Sequence, residues 1–411
     1  MFDPLIDAAL WEWLSFAVRW THVIVGIAWI GSSFYFIALD LGLVHRPHLP
    51  DGVKGEEWQV HGGGFYNMQK YMIAPPTLPE HLTWFKWESY STWLSGFAML
   101  AVLYYAQADL YLIDQERMAL SPEVAILISV ASLAVGWLLY DGLCRLLVGR
   151  NDSALMVLLF AVIVAMAWGY TQVFTGRAAL LHLGAFTATI MSANVFFVII
   201  PNQKVVVADM KAGRTPDPKY GVIAKQRSTH NNYLTLPVIF LMLSNHYPLA
   251  TSTEFNWIIA ALVFLMGVSI RHYFNTRHAR KAAPNWTWAV TAALFAAIVA
   301  LSVWPTLPDA EEEAAAATAG PQLAAADRDA AVVDIVLTRC SMCHAAAPVW
   351  DGIAHAPLGV VLENEAQVMR HAREIYLFAA ASHAMPPGNL TYMEPGERRA
   401  IARWFAQGGG G

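Results

Sequence analysis

Five consecutive residues, Cys340-Ser341-Met342-Cys343-His344, carry the most specific chemistry in the chain. Two cysteines with two residues between them and a histidine directly after the second have the spacing of c-type haem attachment. The thiols add to the haem vinyl groups and His344 lies under the iron as an axial ligand. The rival for such a pair, a redox-active dithiol, needs a strand before it and a βαβ setting, whereas Ala331-Val332-Val333-Asp334-Ile335-Val336-Leu337 reads as a helix. A second axial ligand is expected from a loop ahead of the last helix. Ala384-Met385-Pro386-Pro387-Gly388 offers a thioether on a stiff turn, which makes Met385 the expected ligand and leaves Met393 and Met342 as alternatives. Histidine with a thioether favours the ferrous state relative to two histidines, so the tail is expected to be a fairly high-potential electron acceptor. The third cysteine, Cys144, sits in an apolar stretch and reads as a small buried side chain.

The elements that must carry this tail are apolar. Of 411 residues, 56% are hydrophobic and 14% charged, a balance that belongs to polytopic membrane proteins. The net charge of -5, with no Lys/Arg-rich block, argues against a nucleic-acid partner. About 20 apolar residues cross a bilayer, and eight such stretches occur, at 14–41, 89–112, 123–147, 153–175, 178–203, 233–250, 255–274 and 286–305. The expected fold is all-α: a polytopic membrane helix bundle of eight spans over residues 1–305, then a small class I-like cytochrome c domain over 331–411. Between them, 306–330 is acidic at Glu311-Glu312-Glu313 and then low in complexity, and is expected to be a flexible tether. An even number of spans puts both termini on one side. Counting helix ends, one set of connections holds 16 Lys/Arg and the other only Arg117 and Arg177, so the positive-inside rule places both termini in the periplasm. No basic segment and small-residue cleavage site precede the first apolar run, which is expected to stay as a helix.

Ionisable groups inside spans tend to mark sites or pathways. His22 and His182, both expected toward the periplasmic side, are candidates for ligating a second, b-type haem between helices, or for bonding to neighbouring helices. Toward the other side, Gln226-Arg227-Ser228-Thr229-His230-Asn231-Asn232 is dense in planar hydrogen-bonding groups. A guanidinium offers paired donors and an amide offers donor and acceptor together, so Arg227 and Asn231, with His230 between them, are candidates to clamp an anionic, lactam-rich substrate. His61-Gly62-Gly63-Gly64-Phe65-Tyr66 reads as a flexible loop with a candidate ligand contact.

These stretches resemble the bacterial membrane-bound urate oxidases, also called urate hydroxylases. The likeness rests on Thr21–Gly31, His61–Tyr66, Ile200–Gln203, Arg227–Tyr233, Asn245–Pro248 and Arg271–Asn275, joined to Arg339–His344, Ala356–Val360 and Ala384–Tyr392. The resemblance implies oxidation of urate with water to 5-hydroxyisourate, one covalent haem c on Cys340, Cys343, His344 and Met385, and residence in the bacterial inner membrane. It also implies that electrons pass to a soluble cytochrome c or a terminal oxidase. Urate gives up two electrons and one haem c takes one at a time, which keeps an additional haem b in the membrane domain under consideration. A respiratory subunit fed by quinol or another dehydrogenase is the competing expectation.

Overall fold

Ala, Leu, Ile and Val dominate the stretches that fold as helices, and Pro, Gly or Asn mark most of their ends. The computed structural model describes residues 4–71, 75–147, 152–304 and 325–409. Among these, eight long helices precede the tail: α1 Pro4–Gly42, α2 Trp87–Leu100, α3 Pro122–Leu147, α4 Asp152–Val173, α5 Gly176–Lys211, α6 Lys219–Leu243, α7 Asn256–His278 and α8 Trp286–Val303. Each overlaps one expected apolar stretch. Six of them, α1, α3, α4, α5, α7 and α8, are long and apolar enough to cross a membrane. The other two depart for visible reasons. α2 has 14 regular residues before a π-helical turn at Ala101–Tyr105. α6 begins at Lys219, well before the expected 233, because its polar first half is taken into the bundle: Arg227, His230, Asn231 and Asn232 are all buried.

α5 is regular over Gly176–Ala193, widens into a π-helical turn at Asn194–Ile199 and resumes at Ile200. Pro201 has no N–H to return to the preceding turn, and the wider turn accommodates the missing donor. The core lies between α3, α4 and α5, around Phe174, Leu180 and Phe186. Gly136 on α3 is obligatory there, since a Cβ would stand 1.9 Å from Phe186 Cε2.

The all-α expectation meets one exception. Val53–His61 (β1) and Gly64–Tyr71 (β2) pair antiparallel, so the glycine loop is the tip of a β-hairpin. Gly62 and Gly63 supply the two positive φ values, +60° and +80°, that a tight two-residue turn requires. His61 at this tip is exposed.

After 305–324, which lie outside the described residues, Ala325–Cys340 forms α9, so helix begins within the stretch expected to be a tether. Glu365–Arg370 (α10), Ala372–Ile375 (α11) and Pro395–Ala406 (α12) follow. They enclose a separate small core of Val336, Val368, Ile401 and Trp404. Trp404 Nε1 donates to Asp329 Oδ1 on α9 at 2.7 Å. The tail touches the bundle through Asn389 Nδ2, 2.6 Å from Glu116 Oε1, and through His383 N, 3.2 Å from Ser252 O.

Candidate functional site

At one end of the bundle, α1, α2, α5 and α6 enclose a cleft of about 320 Å³. Trp29, Phe36, Trp84 and Phe85 give it flat apolar walls, and Ser89, Gln203, Ser228 and Asn231 place hydrogen-bonding groups among them. Glu88 also lines it, with Oε2 buried and lacking a protein partner. Aromatic walls with a few convergent polar groups are the usual composition of a small-molecule site.

The three residues proposed from the α6 sequence take different positions. Asn231 reaches the cleft. It is held from behind: its Oδ1 accepts from Asn194 Nδ2 at 2.9 Å and its Nδ2 donates to Met191 O at 2.9 Å. Arg227 does not line the cleft. Its Nη2 donates to Asp141 Oδ1 on α3 at 2.7 Å, Nη1 reaches Asn194 Oδ1 at 3.4 Å, and its guanidinium lies 5.0 Å above the Tyr140 ring. The carboxylate of Asp141 is shared with Arg145 at 2.6 Å. His230 is likewise behind the wall: the Tyr140 hydroxyl, which accepts from Asn194 Nδ2 at 2.9 Å, bonds to His230 Nδ1 at 2.8 Å. Cys144 Sγ is buried 4.0 Å from the same nitrogen. Arg227 and His230 therefore support the cleft wall, and Asn194, at the start of the wide turn of α5, joins them to Asn231.

Sequence reasoning passed over Asn194, Tyr140, Asp141 and Glu88. Asp141, a carboxylate within an apolar run, was the readable signal for a buried charge. Nothing in the sequence marks Asn194, whose partners are 33 to 54 positions away along the chain.

His22 and His182 are engaged separately. His22 Nδ1 donates to Thr92 O at 3.1 Å. His182 is fully buried among Tyr104, Tyr170 and Phe174, with Nδ1 bonded to Ala178 O and Nε2 to Ser129 Oγ, both at 2.7 Å. With both ring nitrogens taken and aromatic rings packed around it, His182 does not fit a haem-ligand role.

The tail residues do fit a covalent haem. Cys340 ends α9, and a tight turn follows in which His344 N bonds to Cys340 O at 2.9 Å. His344 Nδ1 donates to Val360 O at 2.9 Å, which fixes the tautomer and leaves Nε2 with a lone pair that could hold a metal. Met385, half-buried, sits on a loop clamped by Arg398 of α12, whose Nη1 donates to Ala379 O at 2.6 Å and Met385 O at 2.8 Å. Met393 is packed in the small core and Met342 is 40% exposed, so Met385 is the thioether on a held loop. Leu358, wholly exposed two residues before Val360, is apolar surface that a flat macrocycle would cover. Burial pushes the Cys340 thiol up to about 12 and raises that of Cys343.

A helical, membrane-type bundle with a half-open aromatic and amide-lined cleft, followed by a small helical tail, is the class of protein these features define. Residues 8–302 match the Urate oxidase N-terminal family, and the chain belongs to it. Comparison with curated proteins and with solved structures gives no match.

Proposed function

We propose that the chain spans the bacterial inner membrane with all eight long helices and oxidises urate with water to 5-hydroxyisourate, releasing two protons and two electrons. In this reading residues 1–305 bind and oxidise urate, and residues 331–411 are a periplasmic cytochrome c domain. The observation that carries it is a cleft of purine-accommodating size and lining inside the segment that matches a urate oxidase family. Flat rings of Trp29, Trp84, Phe36 and Phe85 suit a planar heterocycle. The Asn231 and Gln203 amides can each face a lactam edge with donor and acceptor together, and the carboxyl of Glu88 can accept from a ring N–H. Asn194 and Arg227 hold Asn231 in position.

Cys340, Cys343, His344 and Met385 would hold haem c. That group supplies one-electron acceptance at fairly high potential. Soluble cytochrome c or a terminal oxidase then takes the electrons. The test is anaerobic titration of the purified full-length haem protein with urate, followed in the visible spectrum. Urate is expected to reduce the haem and to yield 5-hydroxyisourate without hydrogen peroxide. Reduction by a quinol with no response to urate would replace this reading by that of a respiratory subunit.

A further inference from the structure

Glu88 stands in the first turn of α2, where the free N–H groups of a helix start favour a carboxylate. Its backbone is pinned. Thr92 Oγ1 donates to Glu88 O at 2.6 Å, Ser89 Oγ lies 3.0 Å from Ser192 Oγ of α5, and Ser192 Oγ also donates to Ser89 O at 3.2 Å. The carboxyl head is not: Oε2 is buried and has no protein partner. Among the described residues the same holds for side-chain atoms of Gln226, Arg227, Asn232, His278 and Arg328, but none of those residues lines the cleft.

A buried carboxylate oxygen without a donor is costly. The cleft wall supplies no cation to offset it: around Glu88 are aromatic and aliphatic side chains, hydroxyls and amides, and it is the one ionisable side chain among the described residues that line the cleft. A ligand rich in ring N–H groups would supply the missing donor. Any proton that a ligand gives up to a side chain of this wall has a single destination.

We propose that Glu88 is the proton acceptor of the oxidation, its Oε2 taking a ring N–H proton from the purine as the electrons leave. This rests on the reading that urate is oxidised in this cleft, and it assigns the base of that reaction. Urate is already a monoanion at neutral pH, so one further proton must go. The anion passes that proton to Glu88 and two electrons, one at a time, to a one-electron acceptor, which leaves a neutral diimine. Water then adds across the C=N bond at C5, its hydroxyl to carbon and its proton to nitrogen, to give 5-hydroxyisourate. A carboxylate repels the anionic ground state and attracts the electron-poor ring formed when the first electron departs, whose N–H is far more acidic. Glu88 therefore acts on the transition state more than on binding.

The experiment uses the full-length haem protein in nanodiscs as wild type, Glu88→Gln and Glu88→Ala, with urate and an excess of an artificial one-electron acceptor. Affinity is measured separately by equilibrium dialysis of the reduced protein, which cannot turn over. Glutamine keeps the shape and the acceptor oxygen but cannot hold the proton, so kcat should fall roughly 10²- to 10⁴-fold while urate binds as tightly as to wild type or more so. Glu88→Ala should be similarly slow and should recover rate when formate is added to stand in for the lost carboxylate, a response that a wall residue would not give. An undiminished kcat in Glu88→Gln would overturn the proposal. So would equal losses in kcat and affinity, or a slow Glu88→Ala that formate leaves slow; this last comparison decides alone if Glu88→Gln does not fold. Wild-type protein that neither binds nor oxidises urate would remove the proposed function and this role with it, a result distinct from an active wild type matched by Glu88→Gln.

Discussion

Replacing Asn231 with alanine tests the cleft most directly. The amide has four hydrogen-bonding positions, two N–H groups and two lone pairs. The structure uses one of each inside the bundle, to Met191 O and from Asn194 Nδ2, both at 2.9 Å. One N–H and one lone pair remain for a lactam edge. Neutral hydrogen bonds contribute about 0.5–1.5 kcal/mol each, so losing two to the ligand costs about 1–3 kcal/mol, or roughly 5- to 150-fold in Kd. The same change strands one Asn194 N–H and removes a hydrogen bond to Met191 O, which lowers stability as well. Asn256→Ala separates the two effects. Asn256 is also a buried amide, donating to Thr251 O at 2.8 Å, but it does not line the cleft. Calorimetric titration of urate into both variants in nanodiscs should show the loss in Asn231→Ala alone, at comparable drops in thermal midpoint. Equal weakening in both variants, or a Kd within twofold of wild type in Asn231→Ala, would refute the assignment of this cleft.

Two further outcomes follow from particular contacts. Met385→Ala should keep covalent haem on Cys340 and Cys343 but lose the methionine–iron absorbance band of the oxidised protein and lower its potential; an unchanged band in the visible spectrum would move the ligand to another residue. Gly136→Ala would press a methyl against Phe186, whose ring carbon lies 1.9 Å from the Cβ position, and overpacking of a tight core costs about 1–3 kcal/mol. A clear drop in thermal midpoint with a normal haem spectrum is expected, since the tail has its own core.

The helices were legible because hydropathy over about 20 residues is a local property. Six of the expected stretches fold as helices long and apolar enough to cross a membrane. The early start of α6 was not legible, because Lys219, Lys225 and Arg227 look like a solvated loop until Asp141 is placed beside Arg227, 86 positions away. The hairpin was missed for a related reason: three glycines in a row suggest freedom, and only the pairing of β1 with β2 turns two of them into a fixed turn. At Cys340–His344 the reverse holds. Cys340, Cys343 and His344 lie within five residues, so their local arrangement follows from the sequence alone. The cleft draws on four helices, and only its α6 contribution had been singled out as candidate substrate contacts, with two of those three residues turning out to brace the wall.

The cleft and the tail lie at opposite ends of the bundle: Ser89 lines the first, and the loop after Tyr111 meets the second through Glu116. Helical rise over that stretch amounts to roughly 30 Å, about the thickness of the hydrocarbon layer. Under the proposed function, an electron leaving a substrate in the cleft for the tail would cross most of the membrane's electric field. Each unit charge moved through the full field exchanges about 2.3 kcal/mol per 100 mV. With the tail on the periplasmic face, an interior-negative potential draws the electron outward, so purine oxidation in such an enzyme would be electrogenic and its rate would depend on how strongly the cell is energised.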